Sequence, residues 1–485
     1  MPAVILIFCG AVVALGAYVL RGAVIDDVLI YARVSENLLG GKGWSFNSGE
    51  AVNPCSSPLY TLILAVVMAL GVGGYNACVV AFAAGVFAGL LSAFAIGRRI
   101  STVLAVAVMG VFLLNGSLLE AVGLETSWYL AGVLIAAYLY EIQRYPWCGV
   151  ALAAVSLIRP EGVILPAIVV ALDVLRERRL CAALILPALL LVGAWLLFSF
   201  FAFGEIVPHT VSIKAYQGSI EWNERDYPFF VYLLGRSQFF LLTWILAILG
   251  VLRSVRLLRS GNVALPLVIA FGALQVAGYS VAGAPIGYEW YFAPGILSLN
   301  IALMLGLWET GSQIHLRHAR AKAAGCTSPQ FSTRPYAVAL GFGLAILTGV
   351  LGADPPRIPF STYRLAAQYR NAAKWIAKNT SAASRVAATE IGYLGYFSGR
   401  PIVDIHGLIH KEYLESVRGG PDWWFRQYTP EVIVRHRPAW DGEPTLDWPE
   451  DSRTRFEQNY QLQQTFGSVE VYVAIENPAP RNLGG

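Results

Sequence analysis

The stretch CGVALAAVSLIRPEGVILPAIVVALD, Cys148–Asp173, decides how the chain is threaded. It is long and apolar enough for one membrane crossing. RPEG, Arg159–Gly162, interrupts it with two charges and a proline. Proline disfavours helix at the residue before it, and charges at mid-membrane are costly unless they face water or a ligand. The stretch therefore reads as two short half-spans, with RPEG facing a cavity on the outer side.

The composition around it supports a membrane reading. Of 485 residues, 56% are hydrophobic and 14% are charged, against about a quarter charged in a soluble domain. The apolar residues fall in long blocks, the pattern of a polytopic α-helical membrane protein. The net charge of +4 says little about partners, because the basic residues are clustered. The clusters are Arg98–Arg99, Arg144, Arg176 with Arg178–Arg179, Arg253 with Arg256 and Arg259, and Arg317 through Lys322. Cytoplasmic loops are enriched in Lys and Arg, and one threading puts every cluster on one side. Its spans are 3–20, 76–97, 101–117, 127–142, 147–158, 161–175, 180–203, 234–252, 262–282, 290–308 and 335–352, about eleven transmembrane helices. Leu59–Gly74 must not cross in this scheme and reads as a re-entrant or interfacial helix on the outer side. The N-terminus is then cytoplasmic and the C-terminus extracytoplasmic.

Ala3–Leu20 lacks the basic n-region and cleavage site of a signal peptide and reads as a retained first span. The cysteines, Cys9, Cys55, Cys78, Cys148, Cys181 and Cys326, show no CxxC or metal-ligand spacing. No metal site or disulfide framework is expected from them. Residues 1–352 read as the transmembrane domain. From 353 to 485, helix-like YRLAAQYRNAAKWIAKNT alternates with strand-like RVAAT, PIVDI, EVIVRH and VEVYVAI. That pattern predicts a small extracytoplasmic α/β domain.

The threading gathers polar residues on the outer face. Asp26 and Asp27 follow an apolar run with no basic residue beside them, and Arg33 comes soon after. The plain reading of the pair is an acidic first helical turn favoured by the helix dipole. One cap needs one acid, so the second argues for a general base at the membrane surface, where a carboxylate beside lipid has a raised pKa. Arg159 can snorkel to the interface, but Glu161 beside it favours a cavity. Lys214 alone reads as a solvated loop residue. Together, Arg159 and Lys214 can hold a phosphate, and His209 either assists or is an ordinary loop histidine. Glu125, in GLETSWYL, is a first-turn acid or a cavity contact. Tyr288 and Trp290, in GYEWYFAP, read first as an interfacial belt and second as a sugar-stacking platform. In the tail, His406 and Trp423 read as domain-packing residues before acceptor contacts.

These residues, in this order, resemble the GT-C superfamily of membrane glycosyltransferases. DDVLIYARVSENLLGGKGWSFNSGE looks like that family's first outer loop, and SSPLYTLIL like the helix that follows it. GLET, LIRPEG, PHTVSIK and ATEIGYLGYFSGRPIVDIHGL look like further stretches of the same family. The resemblance covers nearly the whole chain. It is nearest the arabinofuranosyltransferase-like subgroup, which includes mycobacterial cell-wall terminal arabinofuranosyltransferases and pilin arabinosyltransferases. His209 stands where asparagine is common in the family.

The resemblance implies a metal-independent, inverting transfer of a sugar, best matched by D-arabinofuranose. The donor is a polyprenyl phosphate, and the acceptor is a glycan or protein hydroxyl, a pilin being one candidate. The catalytic acid maps onto Asp26–Asp27, with Asp26 favoured as base and Asp27 open. The donor phosphate maps onto Arg159, Lys214 and His209, and the remaining substrate contacts onto Glu125, Glu161, Arg33, Tyr288 and Trp290. The implied location is a bacterial plasma membrane. No cofactor is expected, the lipid-linked sugar being a co-substrate, and no nucleic acid is implied. The chemistry fits: a phosphate with a second pKa of about 6 leaves without a general acid, needing cations as charge develops. The acceptor hydroxyl needs a base, and the sugar carbon passes through an oxocarbenium-like state that carboxylates stabilise. Alternatives are a mannosyl- or other hexosyltransferase of the same fold, a transporter of lipid-linked sugars, or a glycan-binding envelope protein. A single broken segment and no internal repeat argue against the transporter.

Overall fold

The computed structural model describes residues 2–178, 180–224, 231, 241–282, 288–323, 360–410 and 420–475. The expected span 335–352 lies outside them. The described chain is mostly helical with one five-stranded sheet. Among the described residues, four helices are long and apolar enough to cross a membrane: Gly74–Arg98, Ala182–Phe203, Ala264–Ala282 and Trp290–Ile314. Shorter apolar helices run Val4–Leu20, Pro58–Ala69, Thr102–Leu113 and Tyr145–Ile158. The chain divides into two compact units.

The first unit comprises Met1–Val19, Phe82–Trp195 and Ala215–Ile358. Its helices meet through small residues, the usual contact where lipid gives no hydrophobic drive to association. Helices Leu241–Arg259 and Ala293–Ala323 approach so closely that a Cβ added at Gly250 would strike the Ala302 carbonyl. One added at Gly306 would strike that of Leu246. Ser298 Oγ donates to the Val268 carbonyl at 2.8 Å, tying the last of these to helix Ala264–Ala282. Polar groups fix the helix ends. Glu141 Oε2 accepts the Val263 and Ala264 N–H groups at 2.9 and 2.8 Å, capping the start of Ala264–Ala282. Glu309 pairs with Arg256 at 2.6 Å and Arg253 at 3.4 Å.

RPEG breaks the helix as its sequence predicts. Tyr145–Ile158 ends at Arg159, whose backbone is extended at φ −147° and ψ 136°; a 3-10 turn, Pro160–Val163, and a second helix, Ile164–Glu177, follow. Gly162 lies so close to the Val155 carbonyl that a side chain there would collide with it.

The second unit comprises Leu20–Ala81, Leu196–Lys214 and Pro359–Gly485. Its sheet has the order β2-β1-β3-β5-β4, with β1 Val386–Ala388, β2 Ile402–Asp404, β3 Val432–His436, β4 Tyr460–Phe466 and β5 Val469–Ala474. β1 pairs in parallel with β2 and β3, and β5 is antiparallel to β3 and β4. Four of these strands match the predicted apolar runs. β4 does not, because YQLQQTF is an edge strand with one buried position and no apolar alternation.

Residues 26–53 pack into this same unit. Asn47 trades two hydrogen bonds with the backbone of Ile402, each 2.9 Å, and so extends the edge of β2. Helix Ile391–Ser398 lies on helix Asp26–Leu39, and its glycines permit the approach. A Cβ at Gly392 would meet the Asp26 carbonyl, and one at Gly395 would meet Arg33 and Phe46.

Candidate active site

The adjacent aspartates have different surroundings. Asp26 is engaged by the N-terminus of helix Ile391–Ser398: Oδ2 accepts the Gly392 N–H at 2.8 Å and Oδ1 the Tyr393 N–H at 2.6 Å. This is the position where a helix favours a carboxylate. Tyr393 returns the contact, its hydroxyl donating to the Val24 carbonyl at 2.8 Å. Burial, the largest cause, and the charge of Asp27 push the Asp26 carboxyl up to about 6, against the lowering effect of the two N–H groups. Glu390, at the N-cap of the same helix, is raised well above the carboxylate range by burial first and then by Asp26 and Asp27. Glu390 therefore holds a proton and shares it with Asp26 through a side-chain hydrogen bond.

Asp27 points to different partners. Its Oδ2 accepts a hydrogen bond from Lys214 Nζ at 2.9 Å, and its side chain is 25% exposed. A reachable carboxylate beside an ammonium can receive a proton from a hydroxyl, and the ammonium can meet an incoming anion. Lys214 lies in helix His209–Glu224. His209 opens that helix, its N–H donating to the Asn53 carbonyl at 3.2 Å. Its buried Nε2 has no hydrogen-bond partner among the described residues. His410 is pushed down to about 4, by burial first and by His209 second, and accepts the Asp404 N–H at 2.9 Å.

Two nitrogens of Arg33 are held by backbone carbonyls, and the third is buried with no hydrogen-bond partner among the described residues. Its Nε donates to the Phe46 carbonyl at 2.9 Å and a terminal nitrogen to that of Arg400 at 2.8 Å, with the guanidinium 4.5 Å above the Phe46 ring. Trp423 is buried, and its Nε1 donates to the Ile405 carbonyl at 3.3 Å, a packing role.

The other candidates lie in the first unit. Arg159 is buried between two carboxylates, Glu161 at 2.7 Å and Glu125 at 3.2 Å. Tyr279 donates to Glu161, and the guanidinium stands 4.7 Å from the Tyr291 ring and 5.6 Å from that of Tyr129. Tyr288 and Trp290 have ring centroids 5.0 Å apart, beside Tyr291 in the turn Glu289–Phe292. Arg159 and Lys214, expected as joint phosphate ligands, thus each have carboxylate partners of their own.

Sequence reasoning missed Glu390, Tyr279 and Tyr129. Glu390 sits inside the family-like stretch ATEIGYLGYF, an acid amid apolar residues, and that was the available signal. The tyrosines lie inside helices and carried none.

Residues 361–480 match a family model described as a domain of unknown function, DUF8728. No curated protein matches the chain. Among solved structures, the chain is similar to ArnT from Cupriavidus metallidurans bound to undecaprenyl phosphate, with TM-score 0.59 and 15% identity over 96% of this chain and 97% of that one. It is also similar to the Archaeoglobus fulgidus oligosaccharyltransferase tethered with an acceptor peptide, with TM-score 0.52 and 12% identity over 98% of this chain and 75% of that one. AftD, a mycobacterial arabinofuranosyltransferase, overlaps with TM-score 0.49 and 14% identity over 97% of this chain and 40% of that one. The chain has the GT-C fold of membrane glycosyltransferases.

Proposed function

We propose that this chain is an inverting glycosyltransferase. It would move a sugar from a polyprenyl phosphate to an acceptor hydroxyl at the outer face of a membrane. The observation that carries the reading is the Asp27–Lys214 pair, 2.9 Å apart and partly open to solvent in a chain of GT-C fold. Asp27 takes the acceptor proton as the hydroxyl oxygen attacks the anomeric carbon. The bond from that carbon to the phosphate oxygen breaks, and the lipid phosphate leaves with both electrons. Lys214 offsets the charge that develops on it. Asp26 holds the helix that follows Glu390, leaving Asp27 as the base. His209, whose Nε2 has no hydrogen-bond partner among the described residues, is the second candidate for the donor phosphate.

ArnT's bound undecaprenyl phosphate and the acceptor peptide tethered to the archaeal enzyme support the donor and acceptor classes. The proposed topology keeps about eleven spans, with the N-terminus cytoplasmic and the segment from 353 onward extracytoplasmic. D-arabinofuranose remains the proposed sugar on the family resemblance, with a hexose such as mannose as second reading. Glu125, Glu161, Tyr288 and Trp290 are proposed substrate contacts.

The test supplies purified protein with polyprenyl-phosphate arabinofuranose, or its mannose equivalent, and glycan or pilin-type acceptors. Product bearing the transferred sugar supports the reading. Movement of intact lipid-linked sugar across a vesicle, without transfer, would make the protein a transporter.

A further inference from the structure

The second unit contains a cavity of about 740 Å³ formed by residues 435–472, with neither Asp26, Asp27 nor Lys214 in its wall. It lies wholly within the part of the chain that matches the domain of unknown function. Its size is in the range of pockets that hold small ligands. Two features tell what it would hold.

The first is charge. Three arginines, Arg435, Arg437 and Arg453, face two carboxylates, Asp447 and Glu457. Arg435 is committed to Glu470 at 2.7 Å and to the Tyr472 hydroxyl at 2.9 Å. Arg437 is not: its side chain is 77% exposed, and its contact to Glu470 is 3.9 Å. Arg453 makes a long 3.5 Å bond to the Leu446 carbonyl. Two guanidinium groups thus retain donors for an incoming anionic group.

The second is the mixture on the wall. Trp448, Phe456, Tyr460 and Tyr472 give the wall an apolar, aromatic surface. The acids offer acceptors beside the arginine donors. Sugar hydroxyls both donate and accept, so this wall suits them. An acidic peptide carries no row of hydroxyls to donate to Asp447 and Glu457.

We infer that this cleft binds a segment of glycan carrying acidic groups. The inference goes beyond the transfer site and does not rest on it, because binding is measured without donor. Full-length protein in detergent is titrated with tetragalacturonate, with neutral maltotetraose and with tetraglutamate, following heat. Saturable binding of tetragalacturonate is expected, at least about tenfold tighter than the other two probes. Arg437→Ala and Arg453→Ala should each weaken it about tenfold, while Arg364→Ala, at an exposed position outside the cleft, leaves it unchanged. Absence of saturable binding, equal binding of tetraglutamate, or unaltered affinity in both cleft variants would overturn the inference. Retention of full transfer activity by either cleft variant, alongside lost binding, leaves the inference intact and separates the two sites.

Discussion

Asp26 and Gly392 lie 366 residues apart and are joined by a hydrogen bond, the Gly392 N–H donating to Asp26 Oδ2 at 2.8 Å. With the bond from Tyr393 at 2.6 Å, it fastens helix Asp26–Leu39 to helix Ile391–Ser398. Removing this carboxylate leaves two buried N–H donors unmet, each hydrogen bond to a charged group contributing about 1.5–3 kcal/mol. Asp26→Ala should therefore destabilise the second unit by about 3 kcal/mol, and Asp26→Asn, which keeps one acceptor oxygen, by less. Chemical denaturation read at a tryptophan of the second unit checks this. Unchanged stability in Asp26→Ala would contradict the fastening role.

The same junction predicts a pH dependence. Asp26 rises to about 6 and Glu390 moves in the same direction. Folded protein thus binds protons here more tightly than the unfolded chain, and stability falls as pH rises from the ordinary carboxylate range through about 6. Glu390→Gln removes the Glu390 share of this titration and still donates to Asp26. The variant should gain on the wild type by about 1 kcal/mol or more between pH 4 and pH 7. A wild-type advantage that grows with pH would refute the shared-proton assignment.

In the first unit, Arg159 neutralises Glu125 and Glu161 in a buried setting. Arg159→Ala strands both carboxylates and should cost about 3–5 kcal/mol. Arg159→Lys keeps the charge but loses the forked geometry, and should recover part of that. The readout is the thermal midpoint in detergent. A variant that weakens donor binding while the midpoint stays put would return Arg159 to the phosphate role.

The helix crossing at Gly250 and Gly306 has no room for a methyl group. Gly250→Ala or Gly306→Ala should cost about 1–3 kcal/mol through overpacking. Gly10→Ala, where nothing lies within 4 Å of the added carbon, should cost nothing. Thermal unfolding of the three variants side by side checks the contrast.

What the sequence made legible follows from where its signals are local. The helix break at RPEG, the acidic pair and four of five strands each rest on a few neighbouring residues. β4 escaped because an edge strand faces solvent and need not alternate. The separate partners of Asp26 and Asp27 escaped for a different reason. Identical side chains one residue apart point to partners 366 and 187 residues away, and no local pattern records such distances. Arg33, expected as a substrate contact, lies in helix Asp26–Leu39, where two of its nitrogens donate to the backbone of Phe46 and Arg400, partners 13 and 367 residues away.

The most direct test of the central claim, that Asp27 is the base and Asp26 a fastener, compares single-turnover transfer by Asp27→Asn and Asp26→Asn. Both are measured on protein shown to be folded by circular dichroism and monodisperse in detergent. Loss of a positioned general base lowers the chemical step about 10²–10⁴-fold. That loss is expected for Asp27→Asn, while folded Asp26→Asn stays within about tenfold of wild type. Full activity in Asp27→Asn, together with loss of transfer in folded Asp26→Asn, would contradict the account.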